Sequence, residues 1–118
     1  MKRGIIIFVD LISPITQVGH VQTGPRYAVV ISNDQIIPSL SVITIIPLTT
    51  EESALRKFPN TIEIWPNVQN GLKEKSYALI IQVQTIDRRR ILELSGHLDQ
   101  EILNQIDQKL IEYLIRNS

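Results

Sequence analysis

The chain contains no cysteine and only two histidines, which excludes several kinds of chemistry. Without cysteine there is neither a disulfide nor a thiolate zinc site. His20 and His97 lie far apart and lack the spacing of a helical metal motif, so we expect no metal ion. Aromatic residues make up only 5% of the chain, and they leave Tyr27, Trp65 and Tyr77 as the candidates for stacking on nucleic-acid bases.

An excess of positive charge is also absent. Lysine and arginine total 12, as do aspartate and glutamate, which argues against strong nonspecific binding to duplex nucleic acid. A local basic site is still compatible with this neutral total. No stretch is long enough for a membrane helix, and Asp10 interrupts the apolar run at residues 5–9 too early for a signal peptide. We therefore expect a cytoplasmic protein with no membrane partner.

Length and composition predict one domain over residues 1–118. With 43% hydrophobic residues, the chain is large enough to bury a core and too small for two domains. Runs rich in β-branched residues predict strands over residues 5–11, 27–32, 41–48, 61–65, 76–85 and 91–94. Pro47 predicts a sheet edge or a bulge near the end of the third strand.

The last segment predicts an amphipathic helix. Asp99 is the expected N-cap residue, and apolar residues follow it at three- and four-residue spacing. These residues are Ile102, Leu103, Ile106, Leu110, Ile111 and Leu114. Several short strands followed by one terminal helix predict a mainly β fold of the α+β class, a small, strongly curved antiparallel barrel that the helix covers.

Arg26 is the residue around which we expect a functional site. It stands at the start of an apolar strand, behind a loop at residues 13–25 that contains two glycines and His20. One interpretation is an edge-strand arginine whose charged end is solvated. The other is a guanidinium that binds a phosphate or a carboxylate, with the glycines of the loop allowing close approach.

Other polar residues have two interpretations each. Thr49 and Thr50 either bond the local backbone or donate a hydroxyl to a developing oxyanion beside Arg26. His20 is either a solvated loop residue or a group that transfers protons near neutral pH. Gln82 lies inside an apolar run, where its amide must bond the backbone or face a cleft and contact a base edge. No P-loop, Rossmann glycine pattern, catalytic triad order or paired-carboxylate motif is present, and we expect no cofactor.

Several short motifs together resemble one protein family. They are Arg3-Gly4, residues 19–26, residues 29–34, Pro47-Leu48-Thr49-Thr50 and residues 82–87, followed by Gly-His-Leu-Asp-Gln-Glu before the terminal helix. Each motif is short, but their order and approximate spacing resemble those of the MazF/PemK (Kid) toxins, which are ribonucleases of bacterial toxin–antitoxin pairs.

This resemblance implies a CcdB-like barrel related to SH3 folds, usually a homodimer, with an antitoxin protein as partner. It implies metal-independent cleavage of single-stranded RNA at a short sequence. The family's catalytic arginine falls on Arg26, its catalytic threonine on Thr49, and the loop histidine that some members use on His20. We expect the RNA substrate to contact a set of flanking positions, namely Gln22, Gly24, Thr50 and Gln82.

The chain departs from the family pattern at four positions. Val21, Tyr27, Ile81 and Gln84 stand where the family commonly has Glu, Pro, an acidic residue and Arg. The acid that Kid-like members are thought to use is therefore missing, which leaves the acid–base assignment and the cleavage sequence open. Other functions also stay open: a CcdB-like protein that poisons DNA gyrase, an inactive MazF-like protein, or a barrel that binds a peptide.

Overall fold

The structure is a computed structural model that describes residues 2–11, 24–33 and 41–115. The strands are β1 (Ile5–Leu11), β2 (Gly24–Val30), β3 (Val42–Thr49), β4 (Ile62–Ile64), β5 (Ser76–Ala78), β6 (Gln84–Asp87) and β7 (Ile91–His97). The helices are α1 (Ala54–Lys57) and α2 (Gln100–Leu114), and two 3₁₀ turns cover Ile80–Gln82 and Arg88–Arg90. Within these ranges no helix is long and apolar enough to cross a membrane.

The seven strands form one antiparallel sheet with β3 at its centre. The order is β4-β5-β3-β2-β1-β7, and β6 pairs with β3 on the same side as β5. No ladder joins β4 to β7 in the part of the chain that the structure describes, so the sheet stays open. The predicted mainly β fold with a terminal helix is confirmed, although the sheet does not form a complete barrel.

The predicted continuous strand over residues 76–85 is wrong. It is divided into β5, a 3₁₀ turn and β6, and residues 79–83 lie opposite only two residues of β3, 46 and 47. Such an insertion bends the strand and increases its twist. Pro47 faces this insertion and accepts the N–H of Leu79 at 3.0 Å through its carbonyl oxygen. The irregularity predicted from Pro47 is therefore a bulge, and β3 is not an edge strand.

Both faces of the sheet are apolar. One face contributes Ile6, Val29 and Ile46 to a buried cluster that also contains Ile106 of α2. The other face forms a second buried cluster, whose members are Ile7, Val9, Leu11, Ala28, Val30, Ile43, Ile45 and Ile86. Burial on both faces explains why β1 and β3 are near-continuous apolar runs and do not alternate with polar residues.

Helix α2 begins as predicted, but its apolar face is only partly covered. The Asp99 carboxylate accepts the N–H of Ile102 at 2.9 Å, as expected of an N-cap. Ile106 is fully buried. Ile111 and Leu114, which we predicted to pack on the sheet, are 39% and 62% exposed. The apolar spacing therefore continues beyond the part of the helix that the sheet covers.

The Arg3-Gly4 motif connects helix α2 to the sheet through hydrogen bonds and close packing. Arg3 donates through Nε to the carbonyl oxygen of Ile31 at 2.7 Å, and its guanidinium reaches the two carboxylate oxygens of Asp107 at 2.5 and 3.3 Å. Gly4 has a φ of +90°, and a Cβ there would lie 3.2 Å from a methyl group of Leu103. Glycine is favoured because the backbone is left-handed and α2 passes close to it.

Candidate functional site

Arg26 and Thr49 converge at one end of the β2–β3 strand pair. The antiparallel register pairs Val30 with Ile45 and Ala28 with Pro47. Arg26 and Thr49 each lie two residues beyond this last pair. Because side chains alternate along a strand, both project from the face that carries Ala28 and Pro47. The fold therefore brings together two residues that are far apart in sequence.

Arg26 is half-buried, and its strand is held on the other side by β1. It lies opposite Val9 in the β1–β2 ladder. Its neighbour Tyr27 projects from the opposite face, where its ring meets the edge of Phe8 with the centroids 5.0 Å apart. Tyr27 also packs against the helix-side core. This aromatic residue therefore anchors the strand and does not line the site.

Thr49 presents a hydroxyl whose orientation is restrained by the backbone. Its side chain is buried, with 5% exposure, and its Oγ1 accepts the N–H of Glu51 at 3.2 Å. That bond uses a lone pair of the oxygen and not the hydroxyl proton. A positioned hydroxyl of this kind can donate to an anionic oxygen held by Arg26.

The remaining predicted contact residues are distributed unevenly around this pair. Gly24 lies two residues before Arg26 and has a φ of +81°, and no heavy atom of the described residues lies within 4 Å of the position a Cβ would occupy. Thr50 follows Thr49 and is exposed. His20 and Gln22 lie outside the described residues, so their predicted roles stay predictions.

Gln82 lies in the 3₁₀ turn beside the middle of β3, and not within a strand as predicted. It is half-buried. The amide of Gln84 donates to the carbonyl oxygen of Gln82 at 3.2 Å, so the position where the family often has arginine supports the local backbone here. Ile81, at the position of the family's acidic residue, accepts the hydroxyl of Tyr113 of α2 through its carbonyl oxygen at 3.4 Å.

A row of aromatic and charged residues continues the sheet beyond Thr49. Thr49 pairs with Tyr77 of β5, which pairs with Glu63 of β4. Just beyond, Lys75 Nζ lies 4.3 Å from the ring centroid of Trp65 and 3.0 Å from the carboxylate of Glu63. The hydrogen bond to that carboxylate raises the pKa of Lys75 above its ordinary value of 10.5, so the side chain stays protonated at neutral pH.

Exposure separates the three aromatic residues predicted as stacking candidates. Tyr77 is only 3% exposed and Tyr27 is half-buried, whereas Trp65 is 65% exposed. The sequence analysis did not predict that Lys75 contacts Trp65. The signal was present, because the Asn70-Gly71 turn predicts that the segments on either side of it pair.

The basic run Arg88–Arg90 forms a local ion pair with Asp87. The Asp87 carboxylate accepts the backbone N–H of Arg89 at 2.8 Å and its guanidinium at 2.9 Å. The side-chain bonds from Arg89, followed by the backbone bond, lower the pKa of Asp87 to about 2. Among the described residues no group of three histidines or carboxylates is arranged to hold a metal ion.

Fold and site together define a small α+β domain with an arginine and a threonine hydroxyl at one end of an open, curved sheet. MazF from Deinococcus radiodurans has the same fold, with a TM-score of 0.75, 21% identity, and coverage of 97% of this chain and 96% of that chain. An endoribonuclease in complex with its cognate antitoxin from a mycobacterial species is also similar, with a TM-score of 0.71, 18% identity, and coverage of 97% and 94%.

Sequence comparison identifies the family. The profile of the family described as PemK-like, MazF-like toxin of type II toxin–antitoxin system matches residues 2–114. Endoribonuclease EndoA from Bacillus subtilis (strain 168) is 36% identical over 110 residues, which cover 93% of this chain and 90% of the relative. The chain belongs to the PemK-like, MazF-like toxin family.

Proposed function

We propose that this chain is the toxin endoribonuclease of a toxin–antitoxin pair and cleaves single-stranded RNA at a short sequence. The observation that carries the proposal is the convergence of Arg26 and Thr49 at one end of the β2–β3 pair. The endoribonuclease name of the 36% identical relative supports the same activity.

Arg26 supplies the positive charge that the reaction needs. Attack on a phosphodiester produces a phosphorane whose nonbridging oxygens carry extra negative charge. A guanidinium stays protonated at any physiological pH and donates two bonds in a fixed fork, which suits those oxygens. Thr49 adds a hydroxyl donor from the neighbouring strand. Donors aimed at developing charge are each worth roughly 10²–10³-fold in rate.

The nucleophile in this proposal is the substrate's own 2′-hydroxyl. Its oxygen forms a bond to the adjacent phosphorus while the bond from phosphorus to the 5′-oxygen breaks. A general base takes the 2′ proton, and the leaving 5′-oxygen receives a proton. The products are a 2′,3′-cyclic phosphate and a 5′-hydroxyl end. DNA lacks the 2′-hydroxyl and is not cut by this route.

Proton transfer is assigned to His20, with Arg26 contributing in the transition state. His20 is chosen because an unperturbed imidazole titrates near neutral pH. Arginine is a poor general acid, because the guanidinium charge is delocalised and its protons are held tightly. The acidic residue common in Kid-like relatives has no counterpart at Ile81, so the reaction must proceed without that carboxylate.

We assign the binding of the bases next to the cut to residues that flank Arg26 and Thr49. Among the described residues nothing fills the space beside Gly24, two residues before Arg26, and Thr50 is exposed beside Thr49. Gln22 and Gln82 supply amides that can pair with base edges. Val21 and Ile81 differ from the family pattern, and we therefore propose a cleavage sequence different from that of the relatives.

The proposed biological unit is a homodimer in the cytoplasm, where messenger RNA is available, held inactive by an antitoxin protein. The family consists of toxins of type II toxin–antitoxin systems, and a mycobacterial endoribonuclease of the same fold forms a complex with its cognate antitoxin. The antitoxin partner is therefore proposed from the family and from a relative, and the homodimer is proposed from the family resemblance.

The decisive experiment incubates the purified protein with a long RNA in EDTA and maps the ends. We expect cuts at one short sequence, leaving 2′,3′-cyclic phosphate and 5′-hydroxyl ends. Arg26→Ala should lower the rate by roughly 10²–10³-fold, and Arg26→Lys should stay well below wild type because the fork is lost. Arg89→Ala is the matched control, since Arg89 pairs with Asp87 at the surface.

Intact RNA with the wild-type protein would refute the proposal. Equal cleavage by wild type and Arg26→Ala would also refute it, because the activity would then come from a contaminant or from another site. Supercoiled DNA and DNA gyrase in a parallel assay test the CcdB-like alternative.

A further inference from the structure

Trp65 is the most exposed aromatic side chain among the described residues that project from the sheet beside Arg26 and Thr49. Its indole is 65% exposed, although large aromatic surfaces usually become buried. The Lys75 ammonium lies 4.3 Å from the ring centroid and is held by Glu63 at 3.0 Å. A charged partner therefore restrains the ring while much of its surface stays open.

The position of Trp65 relative to Thr49 follows from the strand pairing. Thr49 is opposite Tyr77, Tyr77 is opposite Glu63, and Trp65 follows Glu63 by two residues on the same face. Two strand spacings and two residues of rise separate the Cα atoms of Thr49 and Trp65 by about 12 Å. At about 3.4 Å per nucleotide, the rise along one strand of a stacked duplex, that distance corresponds to about four nucleotides.

We propose that Trp65, backed by Lys75, is a base-stacking platform of the RNA site and binds a nucleotide within about four positions of the cut. This inference rests on the proposed function. An indole face stacks on any base, and stacking is stronger for the larger purine ring systems. The platform therefore adds affinity and a preference for a purine, and it takes no part in bond breaking.

RNA is favoured over a protein segment as the occupant. The strand pairing places Trp65 on the face of the sheet that also carries the proposed phosphate-binding residues Arg26 and Thr49. Lys75 places its ammonium against the ring, and Glu63 pairs with that charge at 3.0 Å. Tyr77 lies between Thr49 and the platform and is 3% exposed, so it is not a competing stacking surface.

The test measures RNA binding and RNA cleavage separately. The binding probe is the mapped target oligonucleotide with a 2′-deoxy substitution at the cut, which cannot be cleaved, and with 2-aminopurine at successive positions on each side. Short homopolymers of A, C and U are titrated in parallel, so binding is measured even if no cut site is found. Trp65→Ala and Trp65→Phe are compared with Val68→Ala, which removes a fully exposed apolar side chain from the same β4–β5 connection.

We expect Trp65→Ala to weaken RNA binding by roughly 5- to 150-fold, with kcat at saturating RNA unchanged. Trp65→Phe should restore part of the affinity, and Val68→Ala should bind like wild type. One 2-aminopurine position should be quenched by the wild type and not by Trp65→Ala. Affinity for oligo(A) should fall more than affinity for oligo(U).

Unchanged RNA affinity in Trp65→Ala would overturn the platform, and a protein partner would then be the better occupant. A loss of kcat without a loss of affinity would overturn it as well. These results are distinct from failure of the proposed function, which appears as absent cleavage by wild type while the binding titrations still report on Trp65.

Discussion

The strand pair β2–β3 differs sharply between its middle and its end. In the middle, Val29, Val30, Ile45 and Ile46 are fully buried and paired. At the end, beyond the pair of Ala28 with Pro47, the chain places Arg26, Thr49 and the exposed Thr50. The same strands thus provide rigid packing over one stretch and polar chemistry over the next. Substitutions in the middle should change stability, and substitutions at the end should change activity.

The largest stability effect is expected from Ile46→Ala. Ile46 has no exposed surface and lies in the helix-side core, so the truncation loses buried apolar contacts and leaves a cavity. We expect a loss of about 2–5 kcal/mol in the free energy of unfolding, measured by denaturant titration. Activity per folded molecule should not change. If folded Ile46→Ala protein had low activity, the middle of the β2–β3 pair would contribute to activity as well as to stability.

The matching change at the polar end is Thr49→Val. Valine has nearly the same shape and lacks the hydroxyl, so cleavage should fall by roughly 10²-fold. Thr44→Val is the control, because Thr44 is on the same strand and its hydroxyl bonds that of Thr85 at 3.0 Å, away from the site. Both variants are assayed for single-turnover cleavage and for melting. Similar rates in the two variants would remove Thr49 from the mechanism.

A smaller effect on stability is expected from the ion pair that connects helix α2 to the sheet. The side chains of Arg3 and Asp107 are about a third exposed, at 32% and 36%, so solvent weakens their attraction. A double-mutant cycle with Arg3→Ala and Asp107→Ala should give a coupling energy of about 0.5–1 kcal/mol, at the upper end for exposed pairs because two bonds are made. Raised salt should reduce it. A coupling of zero would mean that the bond from Arg3 to Ile31 alone sets the arginine's contribution.

The smallest effect concerns pH and Asp87. The Arg89 side chain and backbone N–H lower the pKa of Asp87 from 3.8 to about 2 in the folded protein. A lowered pKa stabilises the fold above 3.8, and this stabilisation is lost as the pH falls from 3.8 to about 2. Asp87→Asn should flatten the stability curve in that window and leave cleavage at neutral pH unchanged. Identical curves for the two proteins would mean that the ion pair does not contribute to stability.

Local patterns in the sequence predicted much of the fold. The apolar run at residues 5–11 is β1, and Asp99 caps α2 as expected. The predicted strand over residues 76–85 was wrong, because its composition favours a strand along its whole length while residues 79–83 lie opposite only two residues of β3. An insertion of this kind depends on the partner strand, and no local propensity encodes it.

The candidate site was predicted only in part for a related reason. The motif resemblance selected Arg26 and Thr49, but their convergence depends on the register of β2 against β3. The pairing of Lys75 with Trp65 and the burial of Tyr77 depend on how β4 and β5 pair. His20 and Gln22 remain predictions.

By itself, the absence of cysteine excluded disulfides, and the short apolar runs with their spacing determined a small α+β domain in which a helix follows the strands. These properties follow from composition and local periodicity, which act over a few residues. Only the tertiary structure decided that Arg26 and Thr49 share one face, that the sheet stays open over the described residues, and that Trp65 is exposed on the same face. Contacts between distant strands depend on how the whole core packs, so their geometry becomes defined only when the chain folds.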